Sequence, residues 1–400
     1  MISFDHQNLD RVSRGDWDVL VIGAGPAGAM AARGCAAQGL QTLLVDAKHF
    51  PRQKVCGGCL NGRSLGVLRA AGLQHLIDSL SGFPTHKFRL RTDGHQIDID
   101  LPEGLTVDRA AFDHGLATAA VHAGATFLPG VVAKLVEDHV GEEEPHRLVR
   151  LEAGSRHQEL KARMVVVADG LAGRAAHAFR AQRSLVAEHS YIGLGTQMPA
   201  DPRDGGEFEP GTIYMAVGQH GYVGVVRLGN GHLNVAAALS PTIIRGGNSP
   251  GQVLVNTLQD AGFEAPVALR DVNLRGTPFL TRKTPRLAGR RMFVAGDAAG
   301  YVEPFTGEGM AWALVAGDLL APLVEQSMAA WDPSAAETWE RIYRTEIQRH
   351  QWICRGLAAL LRRPWLVQGA AEILRWFPGL GSRIAASLSS PADMPGEGSR

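Results

Sequence analysis

Trp17-Asp-Val-Leu-Val-Ile22-Gly23-Ala-Gly25-Pro-Ala27-Gly28 is the stretch that settles the fold. Its first half is a short apolar run rich in branched residues, the pattern of a parallel strand buried on both faces. Three glycines follow at G-x-G-x-x-G spacing, and residues 29–38 read as an alanine-rich helix stopped by Gly39. Residues 42–45 read as a second strand, ending on Asp46. An acid roughly 20 residues beyond the first glycine, after strand, turn, helix and strand, turns a weak glycine motif into a dinucleotide site. Gly23 permits the tight turn, Gly25 lets backbone approach a pyrophosphate, and Gly28 lets the helix pack closely on the strand. The helix N-terminus offers that anion unpaired N–H groups and the positive end of its dipole. Asp46 can accept hydrogen bonds from a ribose diol and disfavours a 2′-phosphate at this place.

The 400 residues predict two or three structural units, at roughly 100–200 residues each. An apolar fraction of 45% and a charged fraction of 20% are those of a globular protein. Lys plus Arg number 40, as do Asp plus Glu, so no global field draws in nucleic acid, which is not expected as a partner. Glycine is the excess, 48 residues against about 7% on average, which predicts places where backbone approaches something closely. Cys35, Cys56, Cys59 and Cys354 are too few for a disulfide scaffold. The N-terminus lacks the order of a signal peptide, and no run of about 18 apolar residues occurs. The expectation is a cytoplasmic enzyme with no membrane span.

Residues 164–168 read as another buried strand, ending in Asp169-Gly170, and 291–295 as one followed by Gly296-Asp297. Between them, residues 189–271 carry mainly strand signals (192–197, 212–217, 222–228, 233–239) and one helix at 250–261, as in a separate antiparallel sheet. Residues 86–101 read as two short strands, 309–326 as a long helix, and 331 onward as helical.

Three features thus lie far apart in the chain: Gly23–Gly28 with Asp46, the strand end at Asp169-Gly170, and Gly296-Asp297-Ala-Ala-Gly300-Tyr-Val-Glu-Pro304-Phe-Thr-Gly307-Glu-Gly309-Met310. With them the chain resembles the FAD-dependent monooxygenase superfamily of the p-hydroxybenzoate hydroxylase fold, over most of residues 16–325. The resemblance implies an α/β protein. A Rossmann-like FAD-binding domain of glutathione reductase type (16–80, 102–185 and 285–328) is interleaved with an antiparallel β-sheet substrate domain (81–101 and 186–284). A C-terminal helical segment (329–388) and a disordered tail (389–400) follow. FAD is then expected against Gly23, Gly25, Ala27, Gly28 and Asp46. Asp297 would hold the ribityl hydroxyls, with Asp169, Gly170 and Gly296 flanking the pyrophosphate. Pro304 and Gly307 would shape the loop facing the isoalloxazine. Backbone donors at Gly309 and Met310 would stabilise negative charge on the reduced ring.

Phe50-Pro-Arg52-Gln-Lys54-Val-Cys56-Gly57-Gly58, with Val107-Asp-Arg109-Ala-Ala-Phe-Asp113, looks like the geranylgeranyl reductase branch of that superfamily. The likeness implies Cys56 near the flavin as a catalytic candidate. Arg52, Lys54, Gly57, Gly58 and Arg109 become further cofactor contacts. Cys59 completes a Cys-Gly-Gly-Cys string, which reads as a small buried residue at a helix start in preference to a redox pair. With no second such pair, no metal is expected. The isoprenoid reductases carry Tyr-x-Trp-x-Phe-Pro on a substrate-domain strand. Here Gly221-Tyr222-Val-Gly224-Val-Val-Arg227 keeps only the tyrosine. Nor does any tryptophan form the Trp-x-Trp-x-Ile-Pro segment of tryptophan halogenases.

Tyr222 and Tyr214 are candidate pocket residues; His189, His220 and His232 gain no role. The C-terminal segment sets Arg349, Arg355, Arg362, Arg363, Arg375 and Arg383 among Trp352, Trp365, Trp376 and Phe377. This reads as helix packed on the body with arginines outward, and alternatively as a peripheral membrane contact. The leading functional reading is an FAD-dependent monooxygenase, reduced by NADH or NADPH, that hydroxylates a small apolar or aromatic molecule. The alternatives are an FAD-dependent reductase of a double bond in an isoprenoid or other lipophilic substrate, and a non-catalytic flavin-binding protein.

Overall fold

The structure is a computed structural model. It describes residues 9–136, 146–175, 184–202, 206–245, 247, 249–303, 307–361, 366, 367, 369, 372 and 378–389. Pro304, Arg362, Arg363, Trp365, Arg375, Trp376, Phe377 and the tail 390–400 lie outside the described residues.

Strands Met292–Val294, Arg156–Val167, Trp17–Ile22, Thr42–Asp46 and Thr126–Pro129 lie side by side and parallel in the first sheet. Val19, Leu20 and Val21 are all fully buried, so the strand has no polar face and reads as a continuous apolar run. The register aligns the strand ends: Ile22 pairs with Val45 and Val167, and Val167 with Val294. The segments that follow, at Gly23, Asp46, Ala168 and Ala295, therefore meet along one edge. That is the crevice outside the carboxyl ends of an open α/β sheet.

Glycine is obligatory at two points of the turn. Gly23 has φ of 100° and a Cβ there would lie 2.3 Å from the Ala168 carbonyl oxygen. A Cβ on Gly28 would lie 1.8 Å from the Gly23 carbonyl oxygen, so the helix Pro26–Ala37 sits directly on the turn. The long helix Glu308–Gln326 packs closely on that helix, with Gly317 against Ala27 and Met30 and Gly34 against Ala321.

The second sheet has seven strands, in the order Arg275–Phe279, Ile192–Pro199, His232–Leu239, Gly221–Arg227, Thr212–Gly218, Lys87–Thr92 and His95–Asp100. All neighbours are antiparallel except Thr212–Gly218 with Lys87–Thr92. One face holds Tyr214, Val223, Val225 and Val235 in a cluster with Val253, Leu254 and Leu258 of the helix Pro250–Asp260. The opposite face, with Ile213, Met215, Tyr222, Val226 and Ala238, looks toward the first sheet's crevice.

The C-terminal helices close the back of the molecule. Trp339, fully buried in the helix Ser334–Tyr343, donates its indole N–H to the Val294 carbonyl at 3.0 Å. A π turn at Arg344–Gln348 leads into the helix Arg349–Leu361. Ile347 and Cys354 are buried, while Trp352 is 63% exposed with Arg355 stacked on its ring. Leu360 and Val367 pack against the inward face of the second sheet. No helix among the described residues is long and apolar enough to cross a membrane.

Candidate active site

The nucleotide end of the crevice is built from two carboxylates and two arginines. Asp46 accepts from the Ala24 N–H at 2.9 Å and the Lys48 N–H at 2.8 Å, which fixes the glycine turn to the second strand. Arg52 reaches Asp46 at 3.4 Å and Asp113 at 3.0 Å, its guanidinium resting on the Phe50 ring. Asp113, fully buried, also accepts two hydrogen bonds from Arg109, at 3.0 and 2.9 Å. Burial alone would lower the Arg109 pKa. The Asp113 charge, with a smaller effect of Cys56, outweighs it and the pKa rises, so the guanidinium stays charged.

Gly25 caps the helix Pro26–Ala37 with no side-chain hydrogen bond, which leaves the first-turn amides open toward the crevice. Among the described residues, only the tip of Arg52, at 3.8 Å, comes within 4 Å of where a Gly25 Cβ would point. An uncapped helix start, open space before it, and a guanidinium alongside suit the pyrophosphate of a dinucleotide. Ala27 packs closely on its neighbours: its carbonyl oxygen would lie 2.3 Å from a Cβ on Gly317, and its side chain 2.9 Å from one on Gly296.

Further along the crevice, Lys54 and Asp297 form an ion pair at 3.1 Å. Gly170, at φ of 75°, leaves the lysine room; a Cβ there would sit 3.5 Å from Nζ. Asp169 turns into its own loop, where its carboxylate accepts from the Ala175 N–H at 2.8 Å.

The Cys56–Cys59 loop lies where the two sheets face each other. Gly58 accepts from the Val107 N–H at 2.7 Å and donates to the Cys56 thiol at 3.4 Å. Asn234, on the second sheet, donates to the Cys56 carbonyl at 2.9 Å. Cys59 is buried at the start of the strand Cys59–Asn61. Burial, then the neighbouring Cys56 and Glu308, pushes its thiol far above the ordinary range, so Cys59 stays protonated. Gly307 caps the helix Glu308–Gln326 at φ of 94°, and a Cβ there would meet the Cys59 carbonyl oxygen at 2.4 Å. The Met310 N–H already donates to the Gly307 carbonyl at 3.2 Å. Gly309 and Met310, at this helix start, both line the cavity.

An apolar cavity joins these groups. It runs from Lys54, Cys56, Gly57, Arg109 and Asp297 past Gly309 and Met310 to Ile213, Met215, Tyr222, Leu280 and Tyr301. Burial, then the charges of Asp297 and Cys56, raises the Tyr301 pKa well above its usual range, so the phenol stays neutral. Tyr222 lines this cavity. Tyr214 does not: its side chain is on the other face, edge-on to Phe208 and Phe263, and its hydroxyl accepts from the Glu209 N–H at 3.0 Å. Asp113, Asn234 and Tyr301 were not singled out from the sequence. The i,i+4 spacing of Arg109 and Asp113 on one helix was a readable signal for the first, and an isolated Asn inside an apolar strand for the second.

A parallel sheet with a glycine turn, an interleaved antiparallel sheet and a cavity between them define a flavoprotein fold. The model of a family described as FAD binding domain matches residues 16–221, more than half of the chain. A menaquinone reductase of Mycobacterium tuberculosis is 30% identical over 368 residues, which cover 87% of this chain and 84% of the relative. Digeranylgeranylglycerophospholipid reductase 1 of Methanothermobacter thermautotrophicus is 27% identical over 357 residues, covering 82% and 83%. The crystal structure of a flavoprotein/dehydrogenase from Cytophaga hutchinsonii superposes with a TM-score of 0.77 at 18% identity, covering 93% of this chain and 92% of that one. The chain belongs to the FAD-binding-domain family and is an FAD-dependent oxidoreductase.

Proposed function

We propose that this oxidoreductase, reduced by NADH or NADPH, reduces a carbon–carbon double bond of an isoprenoid or similarly lipophilic substrate. The observation that carries the reading is the character of the cavity wall. The second sheet lines it with Ile213, Met215, Val226, Ala236 and Ala238, and Tyr222 is the one ionisable residue that sheet contributes among the described residues. Hydroxylation of a phenol-type aromatic is helped by a base that ionises the ring, and that wall holds no His, Asp, Glu or Lys among the described residues. Alkene reduction needs less from the protein: a dry, apolar seat, a hydride and one proton donor.

Bound FAD, once reduced, supplies the hydride. The residues proposed to hold it are Gly23, Gly25, Gly28, Asp46, Arg52, Arg109, Lys54, Gly170, Asp297 and the amide of Gly309. Cys56 is proposed to hold the proton that goes to the second carbon. It is half-buried at the junction of the nucleotide and apolar regions, with its carbonyl fixed by Asn234. The reductase names of the relatives support the same reading. It reverses the order favoured by the sequence, where the missing Trp and Phe-Pro put hydroxylation first. That departure, on the strand Gly221–Arg227, keeps hydroxylation as the second reading. For a lipophilic substrate, the exposed Trp352 beside Arg349 and Arg355 suits a peripheral contact with a membrane surface.

The test is half-reactions without oxygen. NADH or NADPH should bleach the flavin, and a polyprenyl substrate or menaquinone should restore its colour in stoichiometric amount. Reduced flavin that is reoxidised only when oxygen is admitted contradicts the proposal.

A further inference from the structure

Behind the active cavity lies a second one that the chemistry above does not use. The two-residue strand Gly300–Tyr301 pairs with Arg282–Lys283 and separates them. Tyr301 lines the apolar cavity, and Gly300 lines the other, which the C-terminal helices complete. Arg282, Lys283, Arg344 and Arg355 line this second cavity against a single carboxylate among the described residues, Glu340. Glu340 accepts from the Leu287 N–H at 3.2 Å, and none of the four cations has an ion pair among the described residues. In a chain of zero formal charge this is a local positive surplus.

The cations are not simply solvated. The Nε of Arg355 is buried without a hydrogen-bond partner, a costly state for a charged donor. Arg282 is different: it donates to the Phe279 carbonyl at 3.1 and 2.5 Å and to the Leu171 carbonyl at 2.7 Å, which fixes it in the cavity wall and leaves the anion to Lys283, Arg344 and Arg355. Arg344 and Gln348 both come from the wide turn Arg344–Gln348, a π geometry that recurs at functional sites. Lys283 and Arg344 are solvent-exposed, so an anion has a way in. The guanidinium forks of Arg344 and Arg355, with the Lys283 ammonium, suit the oxygens of phosphate.

We propose that this cavity binds a phosphate or diphosphate group, separately from the FAD crevice. That group is carried by the substrate's polar end or by the nicotinamide coenzyme, or it is free phosphate. The proposal does not depend on which reaction the flavin performs.

Calorimetry on the FAD-loaded enzyme with inorganic pyrophosphate, 2′,5′-ADP and farnesyl diphosphate tests it. At least one probe should bind saturably and weaken at least about tenfold in the double variant Lys283→Ala/Arg344→Ala. Glu340→Gln keeps an acceptor for Leu287 and removes the negative charge, so it should tighten the same probe, a gain that misfolding cannot mimic. Tightest binding of 2′,5′-ADP assigns the site to the coenzyme, of farnesyl diphosphate to the substrate, and of pyrophosphate alone to free phosphate. No saturable binding of any probe, or affinities that neither variant moves, overturns the proposal.

Discussion

Lys54 and Asp297, 243 residues apart in the chain, meet in an ion pair at 3.1 Å. The pair joins the loop after the second strand to the loop after Met292–Val294, and so fixes the mouth of the crevice. The residues are 33% and 16% exposed, which places the pair among those worth about 0–1 kcal/mol to folding. Its use is in binding. Asp297→Ala should leave thermal stability within about 1 kcal/mol and cost FAD affinity at least about tenfold, one buried charge-assisted hydrogen bond. Flavin-to-protein stoichiometry after dialysis, alongside a melting curve, reads both.

Asp113 is the opposite case. It is fully buried between Arg52 and Arg109, and removing its charge leaves Arg109 buried and uncompensated. Asp113→Ala should destabilise the fold by about 3–5 kcal/mol. Chemical unfolding of the FAD-free protein checks this apart from any effect on the cofactor. A loss below 1 kcal/mol would remove Asp113 from the account.

Gly307 tests backbone against space. Gly307→Ala faces both a left-handed φ of 94° and the Cys59 carbonyl oxygen at 2.4 Å. It should cost at least about 2 kcal/mol. Gly72→Ala has a similar φ of 70° but nothing within 4 Å among the described residues, and should cost only the conformational strain, about 1 kcal/mol. Equal losses would mean that the contact with Cys59 carries no weight.

Buried thiols give the protein an alkaline limit. Burial pushes Cys35 up to about 12, against 9.0 for an unperturbed thiol, and moves Cys59 and Cys354 the same way. Above pH 9.0 the unfolded chain releases these protons while the folded chain keeps them, so stability is whole below that pH and falls as pH rises. Unfolding midpoints measured on either side of pH 9.0 should show the decline, and Cys35→Ala should make it shallower.

The crevice was legible because each of its turns follows a strand within a few residues, so a local motif carries its own context. Gly23, Gly25 and Gly28 are one turn, and Gly296-Asp297 another. Tyr301 was not, since it gains its place from contacts with residues far away in the chain. Asp113 and Asn234 left local signals, the i,i+4 spacing to Arg109 and a lone Asn in an apolar strand, but their contacts with Arg52 and with the Cys56 carbonyl are long-range. Tyr214 and Tyr222 show a different limit. The strand Thr212–Gly218 is buried on both faces over its first six residues, so it has no polar side from which to tell the cavity face from the helix-covered face. Only the pairing of Tyr214 with Val225, and of Tyr222 with Val217 and Ala238, sorts them.

Turnover with NADPH and a polyprenyl or menaquinone substrate decides whether a double bond is reduced beside Cys56. Reactions run without oxygen, and in parallel under isotopically labelled oxygen, are read by mass spectrometry of the product. The same product is expected in both, heavier by two hydrogens and free of label. A rate lowered about a hundredfold or more is expected in Cys56→Ala, with flavin content unchanged. A product that forms only in oxygen and carries one labelled atom would contradict double-bond reduction.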